Sequence, residues 1–178
     1  MKDFLELLKK RRSIRKYKNI PVEEEKIDAV TKAALLSPSS RGIYPCDFIV
    51  VDDRSLLEKL SSCRPHGAGF VKNAQFAVVV AADTSMSDVW VEDASLAALD
   101  MQLAAESEGL GTCWVQVRNR DHSPGCSTEK YIRELLSIPE GWAVECIIAG
   151  GYPDEKLPSR ELSGRELKKV RKNGFNRQ

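Results

Sequence analysis

The sequence predicts a mixed α and β domain, and three observations carry that prediction. Apolar runs of strand length, Phe48–Val51, Phe76–Ala82, Gly111–Val117 and Val144–Ala149, alternate with segments of helical periodicity. The turn-forming serine, proline and glycine clusters fall between these segments. At 178 residues the chain has the length of one domain, 1–178, able to bury about 70% of its unfolded surface. Interleaved strands and helices place it in the mixed α and β class.

Each element has a local reason. Asp3 can cap a short helix with Phe4, Leu5 and Leu8 on its apolar side, and Lys9 to Arg12 suit its C-terminal end. Pro21 is expected to open a second helix, with Glu23, Glu24 and Glu25 in its first turn and Ile27, Val30, Ala33 and Ala34 as its buried stripe. Ser37-Pro38-Ser39-Ser40-Arg41-Gly42 reads as a loop. Leu56, Leu57 and Leu60 mark a helix after the first strand, and Cys63–Phe70 reads as another loop. Residues 91–109 form the longest predicted helix, closed by Gly109 and apolar on almost every side. Burial all round is the usual fate of such a helix, and in a chain this small it points to a partner subunit. Arg118–Ser127 is expected as a polar loop, Glu129–Leu136 as a helix stopped near Pro139, and Gly150-Gly151-Tyr152-Pro153 as a turn into a charged tail.

Composition narrows the function. With 42% hydrophobic and 30% charged residues, the chain reads as an ordinary soluble one. No apolar run approaches the roughly 20 residues that cross a bilayer, and the start lacks a signal-peptide pattern, so a cytoplasmic protein without a membrane partner is expected. Cys46, Cys63, Cys113, Cys126 and Cys146 form no CxxC pair, which favours free thiols, and with His66 and His122 they offer no zinc-ligand spacing. The net charge of +1 conceals an asymmetry: residues 1–18 carry +6, residues 158–178 carry +5 and the body between them −10. Two basic ends suit either nucleic-acid arms or convergence on one anionic ligand. Neither end interleaves aromatics as a single-strand binder does, which favours the ligand over nucleic acid.

The basic stretch Arg11-Arg12-Ser13-Ile14-Arg15-Lys16-Tyr17 is the strongest candidate for that ligand. In an extended backbone Arg11, Ser13 and Arg15 share one face, giving two guanidinium forks and a hydroxyl suited to a phosphate dianion. A solvated basic turn is the other reading of the same residues. Gly109-Leu110-Gly111 follows a helix and lacks the third glycine of a dinucleotide fingerprint. No GxxxxGK[ST] and no GxSxG elbow occur.

Four motifs in order, Arg11–Tyr17, Ser37–Ser40, Glu106–Trp114 and Gly150–Pro153, make the chain resemble the nitroreductase superfamily of FMN-dependent oxidoreductases from about Phe4 to Arg160. The resemblance implies an α+β fold with a mainly antiparallel central sheet flanked by helices. It implies an intertwined homodimer with FMN in the interface, and a basic tail, 154–178, packed on the partner. It further implies that Arg11, Arg12 and Ser13 meet the FMN phosphate and ribityl chain, and that Arg15 meets the N1–C2 edge of the flavin. Pro38, Ser39, Ser40 and the neighbouring Gly42 would line the flavin from the partner, and Cys113, Trp114, Val115 and Gln116 would run along the ring, with the Val115 N–H near N5. Gly151 and Arg160 would complete the phosphate end. The implied activity moves electrons from NADH or NADPH to a small organic acceptor such as a nitroaromatic or quinone, with the cofactor and no side chain as the hydride carrier. A flavin carrier or sensor without turnover is the alternative. Many relatives carry Asn and Gln-Pro-Trp where this chain has Gly42 and Tyr44-Pro45-Cys46, so those amide contacts are missing here. Arg118 and Arg120 border the ring-edge strand and suit either an anionic substrate or solvent.

Overall fold

The structure, a computed structural model, describes residues 2–175, with Lys2 and Asp3 through their backbone only. The first half of the chain runs α1 (Lys2–Lys10), α2 (Glu24–Leu35), β1 (Cys46–Val51), α3 (Arg54–Ser61) and β2 (Phe76–Asp83). The second half runs α4 (Trp90–Ser107), β3 (Gly111–Gln116), β4 (Asp121–Ser123), β5 (Cys126–Ser127), α5 (Thr128–Leu136), β6 (Trp142–Gly151) and α6 (Gly164–Leu167). Four strands form the central sheet in the order β1-β2-β6-β3, every pair antiparallel. The α+β class and the antiparallel sheet are as expected.

The period-two geometry of a strand sorts the core into two layers. Phe76, Val78, Val80 and Ile148 pack against α2 and α4 through Val30, Ala34, Ala94, Ala98 and Met101. Ala77, Val79, Ala81 and Ile147 face the other way, onto Leu57 and Leu60 of α3 and Ile132 of α5. Because β2 and β6 are covered on both faces, their sequences read as continuous apolar runs. Ile147 and Ile148 are fully buried, each contributing about 1.5–3 kcal/mol by removal from water.

Several boundaries differ from expectation. α2 opens at Glu24, because Glu23 is extended (φ −62°, ψ 141°) and serves as the cap. The Gly150-Gly151 turn is instead the last part of β6, paired with Thr112 and Gly111. The polar loop 118–127 contains the short β4–β5 hairpin. The cap expected of the Asp3 side chain lies outside the described residues. α4 is not buried all round in the single chain: Leu96 and Leu99 are 43% and 40% exposed, while the polar Asp93 and Gln102 are buried. No helix is long and apolar enough to cross a membrane among the described residues.

Candidate functional site

The outer edge of β3 receives the basic stretch. Ser13 bridges Thr112 in a parallel sense, and the Ile14 N–H donates to the Thr112 carbonyl at 2.9 Å. Ile14 and Tyr17 turn into the core, at 7% and 8% exposure. The Tyr17 hydroxyl donates to the Ile14 carbonyl at 2.6 Å with the Ala149 carbonyl at 3.1 Å, and burial pushes its pKa far up. Ser13 and Tyr17 are isolated bridges, and the inward Ile14 and Tyr17 lie three residues apart, so the stretch is not a regular strand; Arg11, Ser13 and Arg15 gather instead around Cys113. All three act on the Cys113 thiol: burial raises its pKa, and Arg15, the Ser13 hydroxyl and Arg11 pull it back in part.

A carboxylate that sequence reasoning did not single out fixes the backbone here. Glu155 Oε1 accepts from the Arg15 N–H at 2.6 Å and the Lys16 N–H at 3.1 Å. Those bonds hold its carboxyl below the usual range, the Arg15 amide being the larger cause. The chain leaving β6 also pairs with the stretch: the Lys18 N–H donates to the Tyr152 carbonyl and the Asp154 N–H to the Lys16 carbonyl, both at 2.8 Å. Farther on, the Arg160 N–H donates to the Lys9 carbonyl at 2.9 Å, and the Arg12 guanidinium donates to the Pro158 carbonyl. The two basic ends of the chain therefore meet.

Their charges are not equally committed. Arg12 braces the tail, and the Arg160 guanidinium pairs with Glu166 at 3.5 Å. The Arg11 guanidinium makes no hydrogen bond or ion pair among the described residues, though its charge acts on Glu106; that of Arg15 makes one hydrogen bond, to the Ser13 carbonyl at 3.4 Å, and lies over the Phe70 ring. Gly151 contributes closeness: a Cβ there would lie 3.1 Å from Gln75 Cγ and 3.3 Å from Tyr17 Cδ1.

Register decides which backbone groups of β3 are open. Thr112 accepts from Ile14 on the outside, and its β6 partner Gly150 accepts from the Gln75 N–H on the β2 side. The two residues thus face away from each other, and antiparallel alternation makes Cys113–Ala149 and Val115–Ile147 the hydrogen-bonded pairs. The Val115 N–H points into the sheet, which corrects the expectation that it faces a ligand. Trp114 and Gln116 present their backbone groups outward, and Arg64 Nη1 donates to the Gln116 carbonyl at 3.1 Å from that side. Trp114 packs partly against the α2–α4 layer, its Nε1–H donating to Gln116 Oε1 at 2.9 Å. Arg118 lies 4.0 Å from the buried Glu145 and over the Trp90 ring, and Arg120 donates to the Asn119 carbonyl.

Pro38, Ser39, Ser40 and Gly42 sit at the opposite, β1 side. Ser39 Oγ donates to Asp93 Oδ2 at 2.7 Å, and the Ser40 N–H donates to Oδ1 at 3.0 Å. Asp93, in the first turn of α4, thereby organises the loop, a second role not singled out from sequence. Gly42 continues a left-handed turn at φ 67°, after Arg41 at φ 57°. β2 and β6 separate the two sheet edges, a span of about 14 Å at about 4.8 Å per strand. One chain does not bring this loop to Arg11–Arg15.

Fold and site together define an α+β protein with a cationic segment on one sheet edge and partly exposed leucines on α4. The nitroreductase family model matches residues 8–63 and 62–152. The chain is similar to an FMN-dependent nitroreductase of solved structure from Clostridium difficile R20291, 52% identical, with a TM-score of 0.94 over 96% of this chain and 99% of that one. It is 42% identical to a putative NADH dehydrogenase/NAD(P)H nitroreductase from Methanothermobacter thermautotrophicus over 90% of this chain and 82% of the relative. A protein of the same description from Archaeoglobus fulgidus is 40% identical over 88% and 89% of the two chains. This chain belongs to the nitroreductase family.

Proposed function

We propose that the protein is a cytoplasmic, homodimeric, FMN-dependent oxidoreductase that passes electrons from NADH or NADPH to a small organic acceptor, a nitroaromatic or a quinone. The observation that carries this reading is the convergence of Arg11, Ser13 and Arg15 on the open edge of β3 with no carboxylate paired to either arginine among the described residues. Guanidinium groups without an ion-pair partner among the described residues, beside a hydroxyl, fit the phosphate of FMN and the electron-rich edge of its ring. The name of the 52% identical relative adds the cofactor.

When bound, FMN supplies the two-electron chemistry, taking hydride from the nicotinamide and returning electrons to the acceptor. The chain supplies binding and electrostatics. Arg11, Arg12 and Ser13, completed by Gly151 and Arg160, hold the phosphate end. Arg15 is a fixed cation that favours negative charge on the reduced ring, in a site where preorganised charge costs no rearrangement. The outward backbone groups of Trp114 and Gln116, beside Cys113, offer hydrogen bonds along the ring edge. Pro38, Ser39, Ser40 and Gly42 come from the second subunit, which accounts for their distance from Arg11 within one chain. Leu96 and Leu99 of α4 and the exposed Leu162, Leu167, Val170 and Phe175 of the tail are the apolar surface for that subunit. The chain acts as one domain, with its tail packed on the partner.

The test is NADH or NADPH consumption with a nitroaromatic or a quinone. The expected result is acceptor reduction in step with nucleotide oxidation, lost on stripping FMN and restored by adding it back. Consumption no faster than with free FMN alone contradicts the proposal.

A further inference from the structure

Next to the basic stretch lies a second cationic pocket. Arg15, Lys16, Arg54 and Lys72 line a cavity of about 290 Å³ in which Asp154 is the single acid. Arg15 is its one residue in common with the cluster at Cys113; Arg11, Ser13 and Cys113 do not line it.

The pocket wall is built. Arg54, the first residue of α3, donates from Nη1 to the Ala74 carbonyl at 2.8 Å and from Nη2 to Gln75 Oε1 at 2.6 Å and Asn19 Oδ1 at 3.4 Å. The bond to Oε1 fixes the Gln75 amide, because a guanidinium can only donate, so the amide NH₂ must face elsewhere. Gln75 is 8% exposed, yet its Nε2 makes no hydrogen bond among the described residues. That amide nitrogen keeps some solvent access, and its N–H donors are free to meet a bound acceptor. The ammonium groups of Lys16 and Lys72 also have no carboxylate partner among the described residues.

We propose that this pocket binds a phosphomonoester dianion. Four cations set against one carboxylate leave a net +3 on its lining, and +2 with Arg15 turned to the flavin, which a dianion offsets. The Gln75 amide and the free N–H groups of Arg54 supply directed donors to its oxygens. The group has two possible sources, the 2′-phosphate of NADPH or a free phosphate ester. The first rests on the nicotinamide-dependent activity proposed above; the binding itself does not.

The experiment titrates inorganic phosphate into the FMN-loaded protein by calorimetry, for the wild type and for Lys16→Ala with Lys72→Ala. Loading with FMN keeps the phosphate end of the flavin site occupied. Saturable binding to the wild type is expected, weakened at least tenfold in the double variant with flavin retained. No saturable binding, or equal binding by the double variant, overturns the proposal. If the protein takes up no FMN, the flavin reading fails and the same titration of the chain as purified still decides this one. The KM values separate the sources: at least a tenfold rise for NADPH with NADH unchanged assigns the 2′-phosphate. Both unchanged, with phosphate binding lost, assigns a free phosphate ester.

Discussion

Ile14 lies directly over Gly111: a Cβ at position 111 would fall 2.8 Å from both Ile14 Cβ and Cγ1. That approach lets the basic stretch hydrogen-bond to the edge of β3 while Ile14 fills the core. Gly111→Ala is predicted to push the stretch off the edge. An overpacked core site costs about 1–3 kcal/mol, and the displaced Ser13–Thr112 bridge loosens the flavin as well. Thermal unfolding and flavin retention after gel filtration, measured on the same sample, check both effects.

Arg11→Ala combined with Arg15→Ala is predicted to strip FMN and leave the fold largely intact, since neither guanidinium forms an ion pair among the described residues and Arg15 does no more than rest over the Phe70 ring. Hydrogen bonds to charged groups are worth about 1.5–3 kcal/mol each, so affinity falls by at least about 100-fold. The flavin absorbance after desalting and the far-UV circular dichroism report the two outcomes. Full flavin retention sinks the assignment of this stretch.

Glu155 makes the backbone of the stretch pH-sensitive. Its folded pKa lies below the unfolded one because the Arg15 and Lys16 amides favour the carboxylate. Its stabilisation is therefore complete above the ordinary carboxylate range and disappears as pH falls through the depressed value. Glu155→Gln is predicted to be less stable than the wild type at neutral pH, with the gap closing in acid. Melting midpoints between about pH 7 and about pH 3 test it.

Leu96 and Leu99 form an apolar strip on α4 that the described residues leave 43% and 40% exposed. Leu96→Lys with Leu99→Lys is predicted to give a folded monomer without flavin, because a half-site lacks the loop at Pro38–Ser40. Each leucine kept out of an interface forgoes about 1.5–3 kcal/mol. Light scattering gives the mass, and an unchanged dimer carrying flavin contradicts the shared site.

How far the sequence could be read depends on which force decided each element. β2, the helical stripe of α2 and Gly109 at φ 74° after α4 were legible because apolar pattern and local backbone preference agree there. Gly150 and Gly151 read as a turn by propensity, yet tertiary packing decided them: a Cβ at Gly150 would meet the Phe76 ring at 2.5 Å, so the strand itself needs bare backbone. α6 was missed although Ser163 and Glu166 form the capping box that the S-x-x-E pattern announces. The basic motif itself was legible, but strand alternation does not order it: Ile14 and Tyr17, three residues apart, both turn inward. Glu155, Asp93 and the Arg54–Gln75 contact were not legible, because each joins positions far apart in the chain. The inward Val115 amide was hidden for a similar reason: it depends on Thr112 bonding to Ile14, a partner about 100 residues away.

The most direct test of the central claim is the absorbance spectrum of the purified protein, followed by NADH or NADPH without oxygen. The account predicts a flavin spectrum that bleaches on adding the nucleotide and returns with a nitroaromatic or quinone. No flavin, even after incubation with FMN, would contradict it and leave the cations at Arg11 and Arg15 in need of another ligand.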